Sequence, residues 1–381
     1  MANVLTNLAA DIYVAADVVG RELTGFIPAA TINANGSERV AKGDTVRAAF
    51  TRAASVVDVS EAMTIPEGTD QTVDNKTLSI SKSRAVQIPY TGENIRSLNN
   101  GVGFETVYGD QIAQAMRALV NEMEYDMAVE AYKNASRAFG TAGTTPFGSN
   151  FSEVAEVRQI LVDNGMPAND GQASLVLSTV AGTNLRQLAQ LQKVNESGGS
   201  DLLRQGTLLE LQGLALRESA QVQAHTKGTG ASYLLNDASS AVGDTSIAAD
   251  GGSGTILAGD VVTFNGDTNK YVVNTALSGG SFAIGSPGLQ LALADNAAIT
   301  VGDSYAANVA FHRRALEIAM RAPAVPEGGD AADDAMTIQD PFSGLVFEVR
   351  VYRGYRKTMI EVAAAWGVKA WKPDFIALLL G

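Results

Sequence analysis

The 381-residue sequence contains no cysteine, which excludes a disulfide framework, a thiolate nucleophile and a cysteine-ligated metal site. Its two histidines, His225 and His312, do not have metal-ligand spacing such as HExxH, and we predict that both are structural. A GxxxxGKS/T phosphate loop, a GxGxxG motif after a predicted strand and a GxSxG nucleophile elbow are also missing. We therefore predict no catalytic residue, no metal and no cofactor, and expect that the chain is not an enzyme.

Positive charge is scarce as well, because 28 Lys and Arg residues stand against 41 Asp and Glu residues, a formal net charge of −13. Sequence-independent binding to nucleic acid depends on Lys and Arg displacing counterions from phosphates, so this composition argues against it. The Debye length is roughly 8 Å at physiological salt. An acidic wall could therefore enclose DNA without adhering to it.

The sequence shows neither a basic leader nor a long apolar run. Its first stretch, MANVLTNLAADIYVAADVV, has Asp11 and Asp17 among its apolar residues, so we expect no secretory signal. Charged residues also interrupt the apolar region 359–380, and we expect no membrane span. Both observations favour a chain that remains in the cytoplasm where it is made.

Apolar periodicity predicts two prominent helices. The first covers residues 4–23, and the second runs from residue 105 to about residue 137 with apolar side chains every three to four positions. At 1.5 Å per residue, the second helix would be roughly 45 to 50 Å long. A helix of that length is more typical of a structural spine than of a cofactor site.

Strand patterns predict an extended excursion and an inserted domain. Short β-branched runs at 45–50, 78–80 and 86–90 surround a polar centre at 64–76, which indicates a long two-stranded loop that lies on another surface; a mobile surface loop is the alternative. Between 228 and 308 the composition becomes Gly- and Asp-rich, with Lys270 as its one basic residue and an Asn265-Gly266 hairpin signal. We predict a small inserted β-barrel or sandwich there, including a strand at 289–293.

After the insertion, an extended segment leads to an acidic region predicted to be a loop. A strand follows, in which Phe347, Val349 and Val351 share one face. The acidic residues of the predicted loop are Glu327, Asp330, Asp333, Asp334 and Asp340.

Several segments resemble a known family. The C-terminal stretch MIEVAAAWGVKAWKPDFIALLLG, with Trp366-Gly367-Val368 and Lys372-Pro373, carries the strongest match, and LAGDVVTFNG at 257–266, the segment 309–326 and the segment 61–94 match in the same order. On these segments the chain resembles the coat-protein family of short-tailed Salmonella-type phages. That family is a branch of the tailed-phage and herpesvirus capsid fold with an inserted β-domain, and the insertion of this chain is shorter than usual for it.

The resemblance implies an α+β fold of the tailed-phage and herpesvirus type (Johnson fold), with a long spine helix, an extended β-hairpin loop, an axial domain and an inserted β-barrel. It divides the chain into an N-terminal arm (1–35), an extended loop (36–100), a peripheral domain with the spine helix (101–172), a first axial part (173–224), the inserted β-domain (225–308), a return to the peripheral domain (309–345) and a second axial part (346–381). It also implies a capsid located in the virion and assembled in the bacterial cytoplasm. The implied partners are copies of the chain in hexamers and pentamers, a scaffolding protein and a portal protein, with a decoration protein left open.

Six residues are candidate assembly contacts. The extended loop would lie across a neighbouring subunit, where its charged residues form rim ion pairs worth about 0 to 1 kcal/mol each. The basic and aromatic run 350–357 would form a subunit contact, although contact with phosphates or bases is the alternative. Lys42, Lys76 and Lys82 are candidates for an isopeptide crosslink, which this branch of the family is not expected to form. The candidate contacts are Glu67, Asp70, Asp74, Lys76, Arg350 and Arg353.

Two other classes of protein compete with a capsid subunit. A secreted adhesin or surface-layer protein would use the Gly/Asp-rich insertion to bind Ca²⁺ or a cell-surface ligand, but the missing signal argues against it. A cytoplasmic hydrolase with an inserted cap domain would need a pocket of perturbed carboxylates around residues such as Glu210 or Glu317.

Overall fold

A computed structural model describes residues 6–51, 56–59, 61, 63–65, 73–94, 104–193, 210–237 and 240–381. Helices and strands are mixed along these residues, which confirms the predicted α+β class. The helices are α1 (Thr6–Arg21), α2 (Phe26–Ala29), α3 (Phe104–Lys133), α4 (Ser152–Asp163), α5 (Thr179–Gln187) and α6 (Ala189–Gln192).

The predicted spine helix is α3, whose 30 residues give a length of about 45 Å. The apolar residues that predicted it are buried against the rest of the core: Ile112, Met116, Leu119, Met123 and Met127. The helix ends at Lys133, earlier than expected, because the chain then enters a strand and the Ser136 amide donates to the Ile376 carbonyl at 2.9 Å. Helix α1 packs along α3 through Ile12, Ala16 and Val19.

Twenty-one strands are assigned in the described part of the chain. They are β1 (Thr31–Val40), β2 (Thr45–Thr51), β3 (Val73–Ser79), β4 (Lys82–Thr91), β5 (Arg137–Phe139), β6 (Ala173–Leu177), β7 (Glu210–Leu211), β8 (Leu214–Glu218), β9 (Ala224–His225), β10 (Tyr233–Leu235), β11 (Ser246–Asp250), β12 (Val261–Phe264), β13 (Lys270–Ser278), β14 (Ser281–Ile284), β15 (Ala298–Val301), β16 (Tyr305–His312), β17 (Leu316–Pro323), β18 (Ala332–Gln339), β19 (Val346–Gly354), β20 (Lys357–Ala370) and β21 (Ile376–Leu380).

A six-stranded sheet lies against the spine helix. Its order is β1-β17-β20-β19-β18, and β4 pairs with the long strand β20. Phe347 and Val349 on β19 and Ile360 and Val362 on β20 belong to the same buried cluster as the α3 side chains, since alternate residues of a strand point to one face. Strand β19 pairs with β20 without a register shift, so Phe347, Val349 and Val351 lie on one face, as predicted.

Strands β2 and β3 form a separate two-stranded hairpin, from the Thr45↔Ser79 pair to the Thr51↔Val73 pair, at the position predicted for the extended loop. The base of the hairpin packs on the six-stranded sheet, where Leu78 and Ile80 join Ala319 and Ala365 in a small buried cluster. The hairpin is therefore anchored at one end.

A second sheet of 13 strands contains β5, β6, β8, β16 and β21 at its centre and the strands of the predicted insertion at one end. The insertion has its own apolar core, which includes Leu235, Val262, Tyr271 and Phe282. The segment expected to be the second axial part, 346–381, supplies strands to both sheets: β19 and β20 to the first and β21 to the second.

Two predicted elements are wrong. Residues 289–293 are not a strand; Leu289 and Leu293 line the core of the insertion as an irregular segment in which Ser240 hydrogen-bonds the Leu293 backbone. The predicted acidic loop contains the strand β18, which pairs with β19. Arg353 on β19 forms an ion pair with Asp333 of β18, and Arg350 pairs with Asp330 just before the strand begins.

Candidate assembly surfaces

The connection between β2 and β3 presents a row of apolar side chains to solvent. The five, which we call the apolar tip, are 76% to 106% exposed: Val56, Val57, Val59, Met63 and Ile65. Two acidic residues of the same connection, Asp58 and Glu61, are exposed as well. Monomeric soluble proteins rarely expose so many large apolar side chains together, so the tip has the character of a contact surface.

A basic and aromatic turn joins β19 to β20 in the six-stranded sheet. The basic turn, as we call it, consists of the exposed residues Arg353, Tyr355, Arg356 and Lys357. Tyr355 is 89% exposed, and the Arg356 guanidinium lies 5.6 Å from the centre of its ring, within the range of a cation–π contact. Arg353 pairs with Asp333 at 2.8 Å. The turn combines three cations and an aromatic ring on one solvent-facing loop.

The six candidate contacts have different environments. Glu67 and Asp70 lie outside the described residues, and Asp74 pairs with Phe50 in the hairpin. Lys76 is engaged within its own chain, since its Nζ donates to the Trp371 carbonyl at 3.4 Å and lies 5.7 Å from the centre of the Trp371 indole. It therefore helps to hold the hairpin base.

Arg350 and Arg353 differ although both lie on β19. The Arg350 side chain is 7% exposed and forms ion pairs with Asp330 and, at 3.0 Å, with Glu348. Burial alone lowers the pKa of Arg350, but its contacts with Glu348, Tyr352 and Asp330 outweigh that effect and raise the pKa. Arg353 is 58% exposed, so it is the one of the two that is accessible to a partner.

A row of carboxylates on the spine helix was missed by the sequence analysis. Glu122, Asp126 and Glu130 lie four residues apart on one face. Asp126 accepts from Lys82 of β4 at 2.7 Å and from the Trp366 indole of β20 at 2.9 Å, while Glu130 accepts from the Ala370 amide. Acidic residues repeating every fourth position were the available signal, but such a row usually indicates a solvated face.

Lys82, one of the possible crosslinking lysines, is occupied by this row. Its Nζ lies 2.9 Å from Glu122 and 2.7 Å from Asp126. Partial burial lowers the pKa of Lys82, but the two carboxylates outweigh it and raise the pKa, so the amine is held in its protonated, non-nucleophilic form. Lys42 is exposed in the turn between β1 and β2.

Both histidines are buried and bonded to carboxylates. His225 Nε2 lies 2.8 Å from Asp260 Oδ1, and His312 Nε2 lies 2.8 Å from Asp170 Oδ2. Within the described ranges, three or more His, Asp or Glu side chains do not come together as a metal site. None of the described helices is long and apolar enough to cross a membrane.

The carboxylates named for a hydrolase do not form a pocket. Glu317 binds the Trp371 indole at 2.5 Å and the Asn33 amide at 2.9 Å, and Glu210 lies exposed in β7. A cleft of about 670 Å³ lies elsewhere, between α4, the segment after β5 and the loop before Lys270. Most of its polar lining residues are hydroxyl or amide side chains.

Comparison with known proteins gives no match to any family model or to any curated protein. The solved structures that the chain resembles include phage capsids. One is the capsid structure of the cyanophage P-SCSP1u (12% identity, 94% of this chain and 88% of that chain, TM-score 0.49), and another is from Mycobacterium phage Che8 (14% identity, 89% and 85%, TM-score 0.47). A third is the mature capsid of bacteriophage PhiM1 (10% identity, 94% and 87%, TM-score 0.45).

Proposed function

We propose that this chain is a major capsid protein of a tailed bacteriophage, with the tailed-phage capsid fold, and that its copies form the hexamers and pentamers of an icosahedral shell. The observation that carries the proposal is the apolar tip. The body of the chain buries most of its large apolar side chains in continuous cores, although some, such as Phe342, are exposed; the connection between β2 and β3 presents five to solvent within ten residues of sequence. A surface of this kind at the end of an anchored excursion requires a partner.

The partner is a second copy of the same chain, contacted at its basic turn. The tip is apolar and carries Asp58 and Glu61, while the turn is aromatic and carries three cations. The two surfaces therefore complement each other in both polarity and charge. Because they are different surfaces of one chain, their contact is heterologous, the kind of interface that generates rings such as hexamers and pentamers when its rotation closes.

Four of the six candidate contacts belong to this interface, and the other two hold the interacting surfaces in place within their own subunit. In the sequence, Glu67, Asp70 and Asp74 follow the residues of the tip and would add negative charge to the same contact, whereas Arg353 belongs with the basic turn. Lys76 and Arg350 are engaged within their own subunit, so they position the two surfaces.

The shell encloses double-stranded DNA without binding its sequence, as the net charge of −13 favours. Scaffolding and portal proteins are the further partners of this role, and the virion is its location. No observation favours the adhesin, because the described residues lack a Ca²⁺-type cluster, or the hydrolase, because Glu317 is bound to Trp371 and Asn33.

Electron microscopy of the expressed chain, with and without its neighbouring phage genes, tests the role directly. Closed, uniformly curved shells are the expected result, and removal of residues 66–75 should abolish them. Discrete monomers or small oligomers in both preparations, or intact shells from the deletion, would contradict the proposal.

The absence of cysteine allows a test of the contact itself. The double variant Val59→Cys, Tyr355→Cys should give a ladder of disulfide-linked oligomers on a non-reducing denaturing gel. The matched control is Val59→Cys with Val242→Cys, because Val242 is 64% exposed but lies in the insertion. Disulfide-linked oligomers in the control alone would show that the tip contacts the insertion of the neighbouring copy and not its basic turn.

A further inference from the structure

The inserted domain leaves and rejoins the body beside the C-terminal end of the spine helix. Strand β9 enters the domain and β16 leaves it, and the two pair through His225↔Tyr305 and Ala224↔Ala306. We call the group of residues at this crossing the joint: Tyr132 of α3, His225, Gly259, Asp260 and Tyr305. The contacts of these residues decide whether the inserted domain can rotate relative to the spine helix.

Asp260 is the centre of the joint and is 1% exposed. Its carboxylate contacts His225 Nε2 at 2.8 Å and accepts from the Gly228 amide at 3.0 Å and the Leu257 amide at 2.7 Å. Gly228 lies on the entering segment, and Leu257 lies just before β12. One buried carboxylate therefore ties the entering chain to the body of the domain, and its burial is tolerated because these bonds satisfy it.

The joint also contacts the spine helix directly. The His225 ring lies between Tyr132 and Tyr305, with ring centres 5.6 Å and 5.3 Å away, and the Tyr305 hydroxyl donates to the Gly259 carbonyl at 2.5 Å. A side chain at Gly259 would place Cβ 2.6 Å from the Tyr132 ring, and its φ of +100° also favours glycine. The domain backbone is thus in tight contact with the helix.

A second attachment lies where the chain leaves the same helix. Strand β5 begins four residues after Lys133 and pairs with β13 of the domain on one edge and with β21 of the body on the other. Gly285 of the domain lies so close to this segment that a Cβ would be 2.2 Å from the Ala135 carbonyl oxygen. A single attachment would act as a hinge, whereas two separate attachments around one helix end prevent rotation.

We infer that the inserted β-domain and the spine helix form one rigid body, locked at two places, the joint with its central Asp260–His225 pair and strand β5, so that any movement of the helix carries the domain with it. The inference concerns contacts within one subunit and does not depend on the proposed capsid role. A rearrangement that tilts the spine helix within a subunit therefore also turns the inserted domain.

Hydrogen exchange of the full chain tests the lock. In Asp260→Asn, at least one of the Gly228 and Leu257 amides should exchange roughly tenfold faster or more, because Asn keeps one acceptor oxygen and turns a donor toward the other amide. Amides of β12 and β13 should keep their protection. The matched control is Asp303→Asn, since Asp303 pairs with Lys227 at the same boundary but is 77% exposed. Equal exchange rates of the Gly228 and Leu257 amides in the two variants would show that Asp260 does not lock the joint.

A distance measurement covers the case in which Asp260→Asn fails to fold. Spin labels at Tyr125→Cys on α3 and Val242→Cys in the insertion occupy exposed sites of a chain without other cysteines. One narrow distance distribution, unchanged across temperature and salt, is expected for a rigid body. A broad or bimodal distribution would overturn the inference, whatever the assembly state of the protein.

Discussion

Single charged side chains on the spine helix connect it to the elements that surround it. Arg117 on the same helix binds Glu22 just after α1, Glu124 binds the start of α2, and Asp126 binds β4 and β20. Each bond joins residues far apart in sequence. The helix therefore orders the N-terminal arm, the strand after the hairpin and the long strand β20 at the same time.

Replacement of Glu124 should destabilise the protein. Its two oxygens accept from the Phe26 and Ile27 amides at 2.9 Å and 3.0 Å, and burial, the largest influence, raises the pKa of the carboxyl. Glu124→Gln keeps the shape but replaces one acceptor by a donor that faces an amide, so it should lower the free energy of unfolding by about 1 to 3 kcal/mol. Urea unfolding measures this, with the exposed Glu156→Gln expected to change stability by less than about 0.5 kcal/mol. Equal changes in the free energy of unfolding for the two variants would show that Glu124 does not anchor the start of α2.

The ion pair between Glu22 and Arg117 should make the stability of the protein depend on pH. Its hydrogen bond from Arg117 is the main cause that lowers the pKa of the carboxyl. A group with a lowered folded-state pKa contributes stability fully above its ordinary value, near 4.3 for Glu, and loses it as the pH falls through the lower folded-state value. The pair is solvent-exposed, so Glu22→Gln should cost roughly 0.2 to 1 kcal/mol at neutral pH and almost nothing once the pH is below the folded-state pKa of Glu22. Arg117→Gln should show the same convergence in urea unfolding at both pH values; a gap that persists in acid would contradict the ion-pair origin.

At the scale of elements, the base of the hairpin is fixed by close backbone approach. Gly367 on β20 lies against β3, and a Cβ there would be 2.1 Å from the Ser79 carbonyl oxygen and 2.8 Å from Leu78 Cδ2. The Ser81 amide also donates to the Trp366 carbonyl at 3.0 Å. The direction of the hairpin is therefore set at its base.

Gly367→Ala should consequently displace the hairpin from the sheet. Because the nearest atom is a backbone oxygen, the strand has to move, and we expect a loss of about 1 to 3 kcal/mol in stability together with faster amide exchange at 76–81. Gly148→Ala is the matched control, because no atom lies within 4 Å of its added Cβ. Thermal unfolding and hydrogen exchange measure the two effects, and unchanged exchange at 76–81 would show that the base adapts without releasing the hairpin.

The elements that the sequence predicted well have local signals. The spine helix and the strands of the hairpin follow from periodicity and β-branched runs, and β19 from its alternating face. Strand β18 was missed because Asp333 and Asp334 have the composition of a solvated loop, whereas in the fold Asp333 pairs with Arg353 on the neighbouring strand. Residues 289–293 were misassigned because an apolar run can fill a core without regular hydrogen bonds. The carboxylates of the spine helix were missed for the same reason as β18, since their partners lie far away in sequence.

The inserted domain is attached to the rest of the chain at two places, through the pairing of β9 with β16 and of β13 with β5. Although its strands belong to the 13-stranded sheet, the domain has a buried cluster of its own, which includes Tyr233, Ile247, Phe264 and Ile299. The ends of the domain are adjacent, because His225 and Tyr305 are partners in neighbouring strands. Closely spaced ends and a separate core are typical of a domain that can fold alone.

Residues 222–308 expressed alone should therefore fold cooperatively. The fragment keeps the His225–Asp260 bond and the pairing of β9 with β16, and it loses the contacts with Tyr132 and β5. We expect a dispersed amide NMR spectrum and a single thermal transition at a lower temperature than that of the same domain within the full chain, because small domains bury a smaller fraction of their surface. Val262→Asp, which places a charge in the fully buried core, should abolish the transition. A disordered fragment would instead mean that the spine helix and β5 supply part of the folding energy of the domain, which would extend the rigid attachment from geometry to stability.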